Sequence, residues 1–196
     1  MVESWLFIFA VIAVLLIPGP TNALLASSVH LHGFLKTFIY IPVVLFGYGY
    51  GMSLWALLIY LTLPIWPNLI HILHAVSAVY VIWLAFHLWK KTSLLQQSHQ
   101  DRELSCARLF KSSLKNPKSL LLAVGILPHW TWASVDNYAW VMGIFSICLI
   151  PCAMFWMYVG GQILAGKLRL NLADRLYKGS AMLLMVSMLP IVIRFF

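Results

Sequence analysis

The sequence predicts an all-α integral membrane protein with about six transmembrane helices. Of its 196 residues, 62% are hydrophobic and only 9% are charged, too few charges to cover a soluble domain of this size. Uncharged stretches run over residues 5–26, 37–89 and 137–166. An apolar helix of about 20 residues crosses the roughly 30 Å hydrocarbon layer and satisfies its own backbone polar groups. The stretches lack the alternation of membrane β-strands, so a barrel is not expected.

The boundaries of the spans follow from prolines, glycines and charges. We place the spans near residues 4–29, 37–63, 69–89, 111–134, 138–160 and 176–195. The last is the weakest, because Gly179 to Ile193 gives only 15 uncharged residues. It crosses only with snorkelling side chains or local thinning of the bilayer. Five helices with a peripheral C-terminal segment therefore stay open as an alternative.

The basic residues give the orientation. Twelve of the 13 fall on one side of this topology. They are Lys36, Lys90, Lys91, Arg102, Arg108, Lys111, Lys115, Lys118, Lys167, Arg169, Arg175 and Lys178. The positive-inside rule makes that side cytoplasmic, so both termini face outward. A basic surface beside anionic lipid headgroups accounts for the net charge of +8 without nucleic acid as a partner.

The first helix contains a motif that breaks helices. Pro18 and Pro20 flank Gly19 inside an apolar run, and the polar residues Thr21 and Asn22 follow directly. Prolines remove backbone donors, and a broken helix in lipid is tolerated only where protein or a water-filled cavity satisfies the freed groups. The alternative is a kinked helix that serves packing alone.

A second motif of the same kind lies in the other half of the chain. Asn116, Pro117 and Lys118 place an amide, a proline and a cation at the start of an apolar run. Alone, Lys118 is better explained as a snorkelling anchor at the cytoplasmic interface. The pairing of two broken helices, one per half, favours function instead. Three helices per half give the halves opposite orientations, and paired broken helices in an inverted repeat indicate a transporter's binding site.

These motifs resemble those of the LysE/RhtB family of amino-acid exporters. The similar segments are Pro18-Gly19-Pro20 with Asn22, residues 27–34 (SSVHLHGF), the glycines Gly47 and Gly51, residues 78–91 with Tyr80, residues 115–128 (KNPKSLLLAVGILP) and Gly179-Ser180. The resemblance covers nearly the whole chain and rests on the order and spacing of the motifs. It departs at Thr21, where many relatives carry Asp or Asn.

The resemblance implies a single transmembrane transporter domain over residues 1–196, with halves of about 1–89 and 104–196 joined by a basic cytoplasmic loop. It implies a multi-pass exporter of amino acids or related metabolites in the bacterial cytoplasmic membrane, driven by protons and working by alternating access. No enzymatic activity, cofactor or metal is expected. Because six helices enclose little volume, a homodimer stays open beside a monomer.

The expected substrate site combines both motifs. Its residues are Pro18, Gly19, Pro20, Thr21, Asn22, Asn116, Pro117 and Lys118. Backbone amides at the broken helix would bind a carboxylate, the two asparagines an amino or hydroxyl group, and Lys118 would attract the substrate electrostatically. The five acidic residues all fall near span ends or in connections. Proton coupling therefore requires an edge carboxylate, a histidine or the substrate's own ionisable groups.

Other polar residues have simpler explanations. Cys148 and Cys152 share a helical face, which favours inert packing over a thiol redox carrier because a reactive thiol needs access and a low pKa. His71 and His74 lack a third metal ligand and fit an interface. A membrane thiol carrier and a non-transporting scaffold are the alternatives to export, although no clustered nucleophiles or metal ligands favour either.

Overall fold

The computed structural model describes residues 2–62 and 105–166 continuously, with further residues at 64–66, 68–69, 72–73, 75–76, 79–80, 82–83, 86, 178–179 and 182. The third and sixth predicted spans and the basic connection after the third therefore lie largely outside the described residues, as do His71 and His74. The number of six transmembrane helices and the inverted repeat stay predictions.

The described residues form helices throughout both halves. In the first half these are α1 (Val2–Leu16), α2 (Pro20–His32), α3 (Phe34–Phe38) and α4 (Ile41–Thr62). In the second half they are α5 (Cys106–Leu114), α6 (Pro117–Leu121), a π-helical turn (Leu122–Ile126), a 3₁₀ turn (His129–Trp132) and α7 (Val135–Leu164). This agrees with the predicted all-α class.

Two of these helical stretches are long and apolar enough to cross a bilayer unaided. They are residues 34–62, which join α3 to α4, and α7, whose 30 residues extend over roughly 45 Å. The α1–α2 pair qualifies only when its two parts are counted together, because they bend by 57° at the predicted break. Within the described residues the structure thus contains two helices of the length and composition of a membrane span, or three with the bent pair.

The predicted fourth span, residues 111–134, is not one continuous helix. Helix α5 ends at Leu114 and α6 begins at Pro117. After α6 the chain forms the π-helical turn, where the Leu127 amide donates to the Leu122 carbonyl at 2.8 Å. Prolines explain both ends, since Pro117 begins a helix readily and Pro128 does not continue one. The apolar helical part, residues 117–126, is shorter than a full span.

The core lies where the first half packs against α7. The Trp156 indole of α7 is buried and its Nε1 donates to the Leu16 carbonyl at the end of α1, at 3.1 Å. Further along α7, Gly161 lies so close to Val29 of α2 that a Cβ there would come within 2.9 Å of a Val29 methyl group. These contacts hold the bent pair against the long helix.

Glycines bring α4 equally close to the second half. A Cβ on Gly47 would lie 2.6 Å from the Ser113 Cβ, and one on Gly51 would lie 3.1 Å from the Ser119 Cβ. Both serines are fully buried. Small residues on one helix let a second backbone approach, which is the usual way in which membrane helices gain contact area. In the structure these glycines therefore have a packing role.

We predict that Gly47→Ala destabilises the protein by about 1–3 kcal/mol, because the added methyl overlaps Ser113 and the Phe110 carbonyl. The melting temperature of the purified protein in detergent measures the effect. Gly49→Ala on the same helix is the matched control, since the nearest atom to its added Cβ is the Tyr138 hydroxyl at 4.0 Å. Equal melting temperatures for the two variants would contradict the close packing of α4.

Candidate functional site

The first break is held together by Asn22. Pro18 is buried in the break, and Gly19, with extended backbone, precedes α2, which begins at Pro20. Asn22 reaches back from the first turn of α2, and its Nδ2 donates to the Leu15 carbonyl at 3.1 Å and to the Ile17 carbonyl at 2.8 Å. Both protons of this amide are therefore used on carbonyls that the end of α1 leaves without helical partners.

The second break has the same construction. Asn116 precedes α6, and its Oδ1 accepts a hydrogen bond from the Lys118 backbone amide at 3.1 Å, which caps the helix. Pro117 occupies the first helical position, where a proline costs no hydrogen bond. In each half, then, a proline starts a new helix beside a polar amide.

The two breaks meet in the interior. The Asn116 Nδ2 donates to the Thr21 hydroxyl at 3.2 Å, and the Lys118 Nζ donates to the Ile17 carbonyl. Gly19 faces the same place, for a Cβ on it would lie 3.3 Å from the Lys118 Nζ and 3.9 Å from the Asn116 Nδ2. The predicted segments 18–22 and 116–118 are thus neighbours, while their role in substrate binding stays a prediction.

Lys118 is the buried cation of this cluster, with only 2% of its surface exposed. It lies beside the last carbonyls of α1, whose partial negative charge favours an ammonium there. An ammonium has three N–H donors, and among the described residues the Ile17 carbonyl is the single acceptor that Lys118 reaches. The other two N–H donors of Lys118 have no acceptor among these residues, and its side chain lies against the place where a side chain on Gly19 would be.

Tyr48 of α4 belongs to the cluster, although the sequence did not indicate it. Its hydroxyl accepts a hydrogen bond from the Asn116 Nδ2 at 2.8 Å, and its ring packs edge-on against Phe145 of α7. It is buried, with 2% of its surface exposed. A tyrosine between two closely packed glycines was the available signal, since a glycine-lined face in the middle of a span points at another helix.

The remaining candidates lie apart from the cluster or are buried as packing residues. Cys148 and Cys152 are free and buried on α7, as the packing interpretation predicted, and Cys106 is free and exposed. His30 and His32 are exposed in the last turn of α2. In the part of the chain that the structure describes, no group of three His, Cys, Asp or Glu side chains is placed to hold a metal ion.

Broken apolar helices around a buried polar cluster are typical of secondary transporters. Over 140 residues the chain is 28% identical to the cysteine/O-acetylserine efflux proteins of Escherichia coli and of Shigella flexneri serotype 5b, with 70% of each sequence covered. No protein-family model and no solved structure matches the chain. The predicted resemblance to amino-acid exporters of the LysE/RhtB type is confirmed, and these relatives are transporters rather than enzymes.

We predict that Asn22→Leu lowers the free energy of unfolding by about 1–3 kcal/mol, because the Leu15 and Ile17 carbonyls each lose a buried donor. Asn137→Leu is the matched control, since Asn137 occupies the first turn of α7 but makes a single side-chain hydrogen bond, to the Trp130 carbonyl at 3.0 Å, near the surface. Melting temperatures in detergent compare the two. A smaller loss for Asn22→Leu than for Asn137→Leu would contradict the role of Asn22 in closing the break.

Proposed function

We propose that the protein is a secondary transporter that exports amino acids or related small metabolites across the cytoplasmic membrane. The observation that supports this most directly is the incomplete hydrogen bonding of Lys118. Its ammonium is buried where two proline-started helices meet, and two of its three donors have no acceptor among the described residues. A polar group buried without partners costs free energy, so the cluster is suited to a ligand that supplies the missing acceptors.

The carboxylate of the substrate would supply them. It would lie beside Gly19 and accept hydrogen bonds from the Lys118 Nζ, with charge assistance making these bonds short and strong. No side chain caps the first-turn amides of α2, which begins directly after Gly19. These amides would add a favourable partial positive charge beside the carboxylate. Gly19 is suited to this place because a Cβ on it would crowd the Lys118 side chain, at 3.2 Å from Cε and 3.3 Å from Nζ.

Asn22 would bind the amino group of the same substrate. Both of its amide protons are used inside the break, which leaves Oδ1 as its open group, and no described residue donates to it. Asn22 Nδ2 and Lys118 Nζ both bond to the Ile17 carbonyl, so the two side chains lie on either side of one atom. The Lys118 Nζ, which donates to a carboxylate, and the Asn22 Oδ1, which accepts from an ammonium, would together match the head group of an α-amino acid.

The other predicted residues have supporting roles in this proposal. Pro18, Pro20 and Pro117 keep the helices broken, and Asn116, whose amide is engaged with Thr21 and Tyr48, positions α6 against α2. The relatives are named for cysteine and O-acetylserine, two α-amino acids with short polar side chains. We propose substrates of that kind for this chain.

Alternating access would require the two halves to part on each side of the cluster in turn. On α4 the Ser53 hydroxyl is hydrogen-bonded to the Tyr138 hydroxyl of α7 at 2.9 Å, whereas Val29 of α2 packs against Gly161 near the other end of α7. We propose that these two contacts open alternately and that an inward proton gradient drives export.

We predict that Lys118→Met reduces export at least tenfold, because the carboxylate loses a charge-assisted hydrogen bond worth about 1.5–3 kcal/mol. Purified protein in liposomes loaded with labelled cysteine, serine or threonine measures the efflux rate, with and without a pH gradient across the bilayer. Lys115→Met is the matched control, since Lys115 is exposed three residues away and is expected to export normally.

The outcomes separate the parts of the proposal. Native protein that releases label no faster than protein-free liposomes would refute the function. Equal rates for native protein and Lys118→Met would refute the site but leave the function. Rates independent of the pH gradient would refute proton coupling alone.

A further inference from the structure

A triangle of buried side chains borders the proposed substrate site. Its corners are Thr21 of α2, Tyr48 of α4 and Asn116 at the start of α6. None of the three has more than 2% of its surface exposed. The triangle therefore joins three helices at one point that bulk water does not reach.

Counting hydrogen-bond donors shows that the triangle is not complete. Asn116 contributes two amide protons, and the hydroxyls of Thr21 and Tyr48 contribute one each. The amide protons go to the two hydroxyl oxygens, at 3.2 Å and 2.8 Å. At most one of the two hydroxyls can donate to the other, because each contributes a single proton and the second proton then has no oxygen left in the triangle. One hydroxyl proton is then left without an acceptor among the described residues.

The open donor lies beside the place proposed for the substrate head group. Thr21 directly precedes Asn22, and the Asn116 Nδ2 and the Lys118 Nζ lie within 4 Å of the same point above Gly19. The first heteroatom of a short polar side chain is only two bonds from the Cα of an amino acid. A substrate held by its head group therefore brings that atom to the triangle.

We infer that Thr21 and Tyr48 form a specificity site that donates a hydrogen bond to an oxygen acceptor in the substrate's side chain. This inference rests on the proposed function. Hydroxyl and ester oxygens accept such a bond well, a thiol accepts it weakly, and an aliphatic side chain does not accept it. A site that leaves its own buried polar group unpaired with the wrong substrate discriminates strongly against that substrate. Oxygen-bearing amino acids are therefore preferred over their aliphatic isosteres.

The test compares pairs of substrates that differ by one oxygen. Liposomes containing the native protein are loaded with labelled threonine or valine, which have nearly the same shape, and with serine or alanine as a second pair. We expect export of the oxygen-bearing member to be about tenfold faster, the effect of one neutral hydrogen bond. In Thr21→Val, which removes the hydroxyl next to Asn22, this ratio falls toward one.

Two controls separate specificity from folding. Thr21→Ser keeps the hydroxyl and should keep the ratio. Tyr50→Phe removes a hydroxyl two residues from Tyr48, on an exposed ring that contacts Phe110, and should also leave the ratio unchanged. The ratio is taken within one protein sample, so differences in insertion cancel. The comparison of Thr21→Val with Thr21→Ser decides the question, because Thr21→Ser keeps the hydroxyl that Thr21→Val removes.

Each other result overturns the inference. Equal export of both members of a pair by the native protein would overturn it while leaving the proposed function intact. So would variants that slow both members equally, or a native protein that exports cysteine but neither threonine nor serine. Native protein that exports no amino acid at all would refute the proposed function, and the inference with it.

Discussion

The Ile17 carbonyl is the atom on which the described interior depends. A helix broken inside a bilayer leaves carbonyl groups without amide partners, and lipid offers no donors to replace them. Here Asn22 donates to this oxygen from one side of the break and Lys118 donates from the other half of the chain. One backbone atom thus fixes the bend between α1 and α2 and ties the second proline motif to the first.

This arrangement requires very close packing around it. The polar cluster excludes water only if α4 and α7 approach the broken helices within van der Waals distance, and glycines make that possible at Gly47, Gly51 and Gly161. The hydrogen bond from Trp156 to the Leu16 carbonyl ties α7 to the end of α1. Packing and polar chemistry are therefore coupled, because a wider separation of the helices would leave the broken backbone without its partners.

The same cluster combines structural bonds with unused ones. The side-chain amide protons of Asn22 and Asn116 donate to other groups of the protein. Donors without an acceptor among the described residues remain on Lys118 and on the pair of Thr21 and Tyr48. Hydrogen bonds within the protein thus fix the position of the cluster, while some of its donors remain without acceptors among the described residues. Preorganised donors of this sort bind a ligand without a large cost in ordering side chains.

The sequence by itself determined the all-α membrane class, the position of both helix breaks and the residues at them, because charge content, apolar run length and proline placement act locally. It did not reveal that Tyr48 joins the cluster or that the chain forms a π-helical turn after α6. Those features depend on which helix faces meet, and the contact of Asn116 with Thr21 across 95 residues is a property of the assembled chain. Lys118 illustrates the difference: its sequence context suits a snorkelling anchor, and only its burial against the Ile17 carbonyl makes it part of the interior.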